Sequence, residues 1–202
     1  MSDQQRIAIQ SKGRLREDSL RWLQERGVVL PDSSDRSLLI SASNLPLEVM
    51  FVRHSDIPRY VQGGAATYGI VGANVLHELE PQVTPLQRFA FGSCRLVIAV
   101  PANSEIKSIA DLNGHRIATS YPNSLRKFLR ASGIAAAVIE MNGSVEIAPQ
   151  LNLADAICDL VQSGNTLKTH QLIPLHTILE STATLIMSPG YQPSINDLFN
   201  NL

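Results

Sequence analysis

Residues 116–133 read Arg116-Ile117-Ala118-Thr119-Ser120-Tyr121-Pro122-Asn123-Ser124-Leu125-Arg126-Lys127-Phe128-Leu129-Arg130-Ala131-Ser132-Gly133. The first four residues are a short run suited to a β-strand. Pro122 then starts a helix through Leu125, Phe128 and Leu129, which fall at helical spacing. Gly133 supplies the stop. The stretch is one strand–turn–helix unit, and the pattern recurs on both sides of it.

Upstream, Arg6–Ile9 reads as a first strand, followed by Ser11-Lys12-Gly13-Arg14 and a helix through Leu15, Leu20 and Leu23 that ends near Gly27. Leu38–Ile40, Leu47–Val52 and Tyr68–Gly72 are strand candidates, and Arg95–Val100 is the clearest of all. Asp56-Ile57-Pro58 opens a short helix with proline in its first turn, where the missing N–H costs nothing. Ile109–Leu112 looks like a short helix closed by Gly114. Downstream, Val138-Ile139, Ala156–Val161 and Thr184–Met187 are strands, Leu167 onward is helical or turn-like, and Pro193–Leu202 is a weak terminal helix. Strands alternating with helices predict an α/β fold with largely parallel sheets.

Composition allows a packed core. The chain has 202 residues, 44% apolar and 17% charged, with a formal net charge of -1. That length suits one large domain or two lobes of roughly 100 residues each. The charge balance argues against nucleic-acid binding, but it leaves room for a local cationic cluster facing small anions. No apolar run is long enough to span a membrane, and residues 1–6 lack an apolar signal core. Two cysteines, Cys94 and Cys158, make no disulfide framework, so a reducing cytoplasm is the expected setting. Both sit in or beside apolar strands and read as buried and inert. The five histidines show no zinc-type spacing, and no resident metal site is expected.

The richest chemistry lies in Glu146–Leu172, E-I-A-P-Q-L-N-L-A-D-A-I-C-D-L-V-Q-S-G-N-T-L-K-T-H-Q-L. A strand carrying Asp159 runs into Gln162-Ser163-Gly164-Asn165-Thr166. A glycine turn between strand and helix can aim backbone N–H groups at a phosphate. Ser163 and Thr166 add hydroxyl donors, and Asp155 and Asp159 can accept bonds from sugar hydroxyls. The pattern leaves a second reading open, an ordinary strand–turn–helix with two solvated acids.

This stretch closely resembles the phosphoribosyl diphosphate (PRPP) loop of ATP phosphoribosyltransferases. Gly143–Pro149, Leu153–Val161 and Ser163–Leu167 follow the family pattern in order. Ser11–Leu15, Asp56–Pro58 with Tyr60-Val61, Gly69–Gly72, Cys94-Arg95, and Ala118-Thr119 with Tyr121–Asn123 resemble further family segments. The resemblance covers most of residues 6–187. The chain ends about where the family's catalytic core ends, so it looks like the short form. Short forms work with a separate subunit related to histidyl-tRNA synthetase.

The resemblance implies a fold, a reaction and a site. The fold would be two α/β lobes like the type II periplasmic binding proteins, with a cleft between them. Residues 1–92 with 170–202 would form one lobe, and 93–169 the other, carrying the PRPP loop. N1 of the ATP adenine would attack C1 of the PRPP ribose and release pyrophosphate, the first step of histidine biosynthesis. A ring nitrogen is already nucleophilic, so the protein must chiefly position two anions and stabilise the leaving charge. Lys12, Arg14 and Arg53 are the implied catalytic cations. Glu146, Asp155, Asp159, Ser163, Gly164, Asn165 and Thr166 are the implied PRPP contacts. Arg36, Arg95 and Tyr121 are implied contacts for ATP or pyrophosphate. For any one cation alone, a solvated surface role is the competing explanation. Mg2+ would arrive on the substrate phosphates. The implied assembly is a homodimer within a hetero-oligomer, containing the synthetase-like regulatory subunit.

Several positions depart from the family pattern. Thr67 stands where Asp is usual, Ala73-Asn74 where Lys-Asp is usual, Ser120 where Lys is common, and Asn152 where Gly is common. These losses keep two rivals in view: a weak or silent regulatory paralogue, and a small-solute-binding module.

Overall fold

The computed structural model describes residues 4–31 and 37–191. The chain divides into two compact units: Met1–Leu76, Glu80–Gly92 and Thr182–Leu202 in the first, His77–Leu79 and Ser93–Ser181 in the second. Arg36 and the expected helix at 193–202 lie outside the described residues.

The first unit is built on a six-stranded sheet. Its strands are β1 (Gln5–Gln10), β2 (Leu39–Ser41), β3 (Leu47–Val52), β4 (Tyr68–Gly72), β5 (Thr84–Arg88) and, from the far end of the chain, β11 (Ala183–Met187). They lie in the order β2-β3-β1-β4-β11-β5. Central β1 is parallel to both neighbours, with Gln10 opposite Val52. A central parallel strand is covered on both faces, so its residues are apolar in succession rather than alternately. Ile7 and Ile9 pack into one cluster, with Trp22 and Leu23 of α1 (Arg14–Gln24). Ala8 packs into the other, with Ile57 and Val61 of α2 (Ile57–Gln62). A third helix, α3 (Ala73–Leu79), follows β4.

The second unit is built on a five-stranded sheet. Its strands are β6 (Cys94–Pro101), β7 (Arg116–Thr119), β8 (Ala137–Glu140), β9 (Ala156–Val161) and β10 (Leu172–Ser181). Their order is β10-β6-β9-β7-β8. Strands β7, β8 and β9 are parallel, β6 runs against them, and edge strand β10 is antiparallel to β6. The two faces again share out one strand. Leu96, Ile98 and Val100 of β6 pack with Leu125 and Leu129 of α4 (Pro122–Ala131). Val97 and Ala99 pack with Ile157 and with Leu167 of the short α5 (Asn165–Thr169).

Three expectations are corrected. The sheets are mixed rather than largely parallel, because β5, β10 and β11 return antiparallel to their neighbours. Past α5 the chain is a ten-residue strand, not a helix or turn. That strand pairs along β6 from Leu172↔Pro101 to Ser181↔Cys94. The ladder ties residues 170–181 to the second unit, so the chain returns to the first at Thr182 rather than near 170.

Candidate functional site

In open α/β sheets, ligands gather where parallel strands end at their carboxyl termini. In the second unit that edge holds the ends of β7, β8 and β9, together with the start of antiparallel β6, since Arg95 lies opposite Val161. Arg95 and the loop after β9 therefore share one edge. So do Tyr121, which leads into α4 from β7, and the segment from Met141 to Glu146 that follows β8.

The loop has the conformation its sequence requires. Gly164 is the residue before α5, with φ 78° and ψ 1°. That is left-handed backbone, which a side chain strains. A Cβ there would meet nothing within 4 Å, so the constraint is in the dihedral and not in packing. Ser163, Asn165 and Thr166 are exposed. The first N–H groups of α5 have no partner inside the helix, as in any helix.

Asp159 is half-buried on β9. Its Oδ1 accepts the Leu160 N–H at 2.8 Å. Burial pushes its pKa above the usual carboxylate value, and the negative charge of Glu146 adds to the rise. The structure thus sets Glu146 near enough to Asp159 for their charges to interact. The pair gains from hydroxyl donors or a cation brought between them.

Asp155, the other aspartate expected to contact PRPP, lies away from the loop. It precedes β9, at the opposite edge of the sheet. Six strand residues separate it from the loop, a span of roughly 20 Å. Its carboxylate accepts Nη2 and Nε of Arg116 at 2.8 and 3.2 Å, and the Arg116 N–H at 2.8 Å. His115 Nδ1 stands 3.5 Å away. The Arg116 hydrogen bonds hold its pKa down at about 2. An acid this fully engaged is a strut between the starts of β7 and β9. A cavity of about 930 Å³ opens at the same edge, lined among others by Glu105, Asp111, His115 and Asp155. Asp111 is also spent, accepting the Lys107 and Ser108 N–H groups.

In the first unit, Lys12 and Arg14 follow β1, and Arg53 follows β3. The two strands end together, and the Ser11 N–H donates to the Val52 carbonyl at 2.8 Å. Gly13 makes the turn between them, with φ 86° and ψ -180°, a region open essentially to glycine alone. All three cations are exposed. Among the described residues, none of them, nor Arg95, forms an ion pair. Ala73 and Asn74 start α3 after β4, at the same edge. Thr67 precedes β4 at the other one.

Some contributors carried no legible signal. Glu78 of α3 is buried, and its two carboxylate oxygens accept the N–H groups of Asn123 and Ser124 at 2.9 and 2.8 Å. It caps α4 from 45 residues away, and no local pattern announces such a cap. Thr119 joins the ends of β7 and β9 through its hydroxyl. The cysteines are buried, and burial pushes the Cys158 thiol up to about 12. Among the described residues no three metal-ligating side chains cluster.

The chain is similar to known proteins along nearly its whole length. The family profile for ATP phosphoribosyltransferase matches residues 53–202. An ATP phosphoribosyltransferase of Phocaeicola vulgatus is 41% identical over 98% of this chain, which spans 69% of that relative. A solved ATP phosphoribosyl transferase (HisG:HisZ) complex from Thermotoga maritima superposes with TM-score 0.77 at 31% identity, over 92% of this chain and 88% of that one. The alkanesulfonate-binding protein SsuA from Xanthomonas axonopodis pv. citri superposes with TM-score 0.61 at 16% identity, over 93% and 66%. That last likeness is one of fold alone, the two-lobed binding-protein type. On the match over residues 53–202 and the identity along nearly its whole length, this chain belongs to the ATP phosphoribosyltransferase family.

Proposed function

We propose that the chain transfers the phosphoribosyl group of PRPP to N1 of the ATP adenine and releases pyrophosphate, the first step of histidine biosynthesis. The observation that carries this reading is the Gln162–Thr166 loop. It sits at the carboxyl edge of β9, with Gly164 left-handed and hydroxyls exposed on either side, beside the Glu146 and Asp159 pair.

The roles follow from the chemistry of each group. Ser163, Thr166 and the first N–H groups of α5 hold the PRPP phosphate, since a charged acceptor strengthens each donor's bond. Asp159 and Glu146 accept the ribose hydroxyls. Lys12, Arg14 and Arg53 stabilise charge on the polyphosphates, and exposed, unpaired cations pay no cost of breaking an existing ion pair. Arg95 and Tyr121 contact ATP or pyrophosphate. Magnesium supplies charge neutralisation of the diphosphate when bound. Glu146 and Asp159 are the acids beside the loop that could meet an ion carried in by the substrate.

The relation to the HisG:HisZ complex supports a regulatory partner of the histidyl-tRNA-synthetase type, with this chain as a short-form homodimer inside the hetero-oligomer. No described helix is long and apolar enough to cross a membrane, and we place the enzyme in the cytoplasm. A steady-state assay with ATP, PRPP and magnesium, with and without the synthetase-like subunit, tests the proposal. Formation of phosphoribosyl-ATP supports it, and its absence under both conditions refutes it.

A further inference from the structure

We infer that Thr119 is a positioning residue for the phosphoribosyl site, holding together the three segments that carry Tyr121, Glu146 and Asp159. The inference rests on the function proposed above.

Thr119 is the last residue of β7 and is fully buried. The parallel pairing of β7 with β9 ends there, at Thr119↔Cys158. Its hydroxyl donates to the Cys158 carbonyl at 2.7 Å and accepts the Tyr121 N–H at 2.9 Å. Its own carbonyl accepts the Met141 N–H at 2.9 Å. Each partner belongs to a different segment of the site. The Cys158 carbonyl belongs to the peptide leading into Asp159. Tyr121 is the turn residue before α4, at φ -124° and ψ 59°. Met141 begins the segment that reaches Glu146 in the 3₁₀ turn Val145–Ile147. The hydroxyl ties two of these segments and the backbone carbonyl the third, at the last pair of the β7–β9 ladder.

The hydroxyl has one proton to give and lone pairs to receive, and both capacities are used. Removing it takes a hydrogen bond from a buried carbonyl and another from a buried N–H in a low-dielectric interior. The Tyr121 turn and the Asp159 peptide are then free to shift relative to β7. Site geometry is sensitive to such movement, since a displacement near 1 Å can cost about 100-fold in rate.

The test compares Thr119→Val, which keeps shape and loses the hydroxyl, with Thr119→Ser, which keeps the hydroxyl. Calorimetric titration of the full chain with PRPP and magnesium, steady-state kinetics and melting curves are read together. The valine variant should lose about 10–100-fold in PRPP affinity and kcat/KM, and the serine variant should stay within about threefold of wild type. A residue that merely stabilises the fold would lower both melting temperatures and leave the folded protein's PRPP affinity unchanged; that result overturns the inference. If the valine variant does not fold, Thr119→Cys replaces it, with similar shape and a weaker donor. Reduced PRPP affinity there supports the inference, and wild-type affinity overturns it. A wild-type chain that fails to bind PRPP sinks the proposed function itself, an outcome separate from any difference among variants.

Discussion

At the residue scale, Asp155 and Asp159 show how position on a strand separates two like side chains. Asp155 is tied to Arg116, and its pKa is held at about 2. The folded value lies below the ordinary one near 3.9, so the stabilisation is present above about pH 4 and is lost as pH falls toward 2. Asp155→Asn should therefore lower the melting temperature at neutral pH, and its acid transition should be shallower than wild type between about pH 4 and 2. After solvent screening, the loss should be on the order of 1 kcal/mol. PRPP affinity should hardly change, because the residue stands at the far edge of the sheet; a loss above tenfold would return Asp155 to the site. Gly164 and Thr166 have the opposite signature. Gly164→Val meets no steric obstacle, yet it forces a β-branched residue into left-handed backbone at a strain of about 1–3 kcal/mol. Thr166→Ala removes a donor to a charged acceptor, worth about 1.5–3 kcal/mol or roughly 10–150-fold. Titration with PRPP beside a melting curve checks both variants. Weak binding with wild-type melting of Thr166→Ala, and with Gly164→Val still folded at a melting temperature lowered by its strain, supports the loop; unchanged affinity in both makes it an ordinary turn.

At the element scale, the informative case is α4. Its sequence carries its own start in Pro122 and its apolar face in Leu125 and Leu129, and the helix runs Pro122–Ala131. Its first N–H groups, however, are capped by Glu78 of α3, and α3 lacked the start and stop residues that would have marked it. Glu78→Ala should cost roughly 1–3 kcal/mol, the usual cost of stranding buried donors at a charged hydrogen bond. Thermal unfolding checks this, and a melting temperature equal to wild type would show the cap to be dispensable. The strands divide in the same way. Leu47–Val52, Tyr68–Gly72, Arg116–Thr119 and Ala156–Val161 have the bounds read from the sequence. β5 was missed because every one of its residues is exposed. β10 was missed because it is an edge strand with Pro174 and two register shifts. Such strands lack the period of two on which a reading depends.

At the scale of the whole molecule, the prediction concerns regulation. The isolated chain should not show full feedback inhibition by histidine, and size-exclusion chromatography with a synthetase-like subunit should give a heteromeric peak. Full inhibition of the chain alone, or separate elution of the two proteins, would remove the proposed partner. The sequence by itself determined the α/β class, the family, the glycine turn between β9 and α5 and most of the buried strands. These are written in local order, as apolar runs, a glycine between strand and helix, and motif residues a few positions apart. It did not determine that β10 pairs with β6, that the chain returns at Thr182, that Glu78 caps α4, or that Asp155 and Asp159 face opposite edges. Only the tertiary structure decided those. Strand direction and pairing fix which end of a strand a residue occupies, and bonds between residues 39 or 45 positions apart leave no periodic trace in the chain.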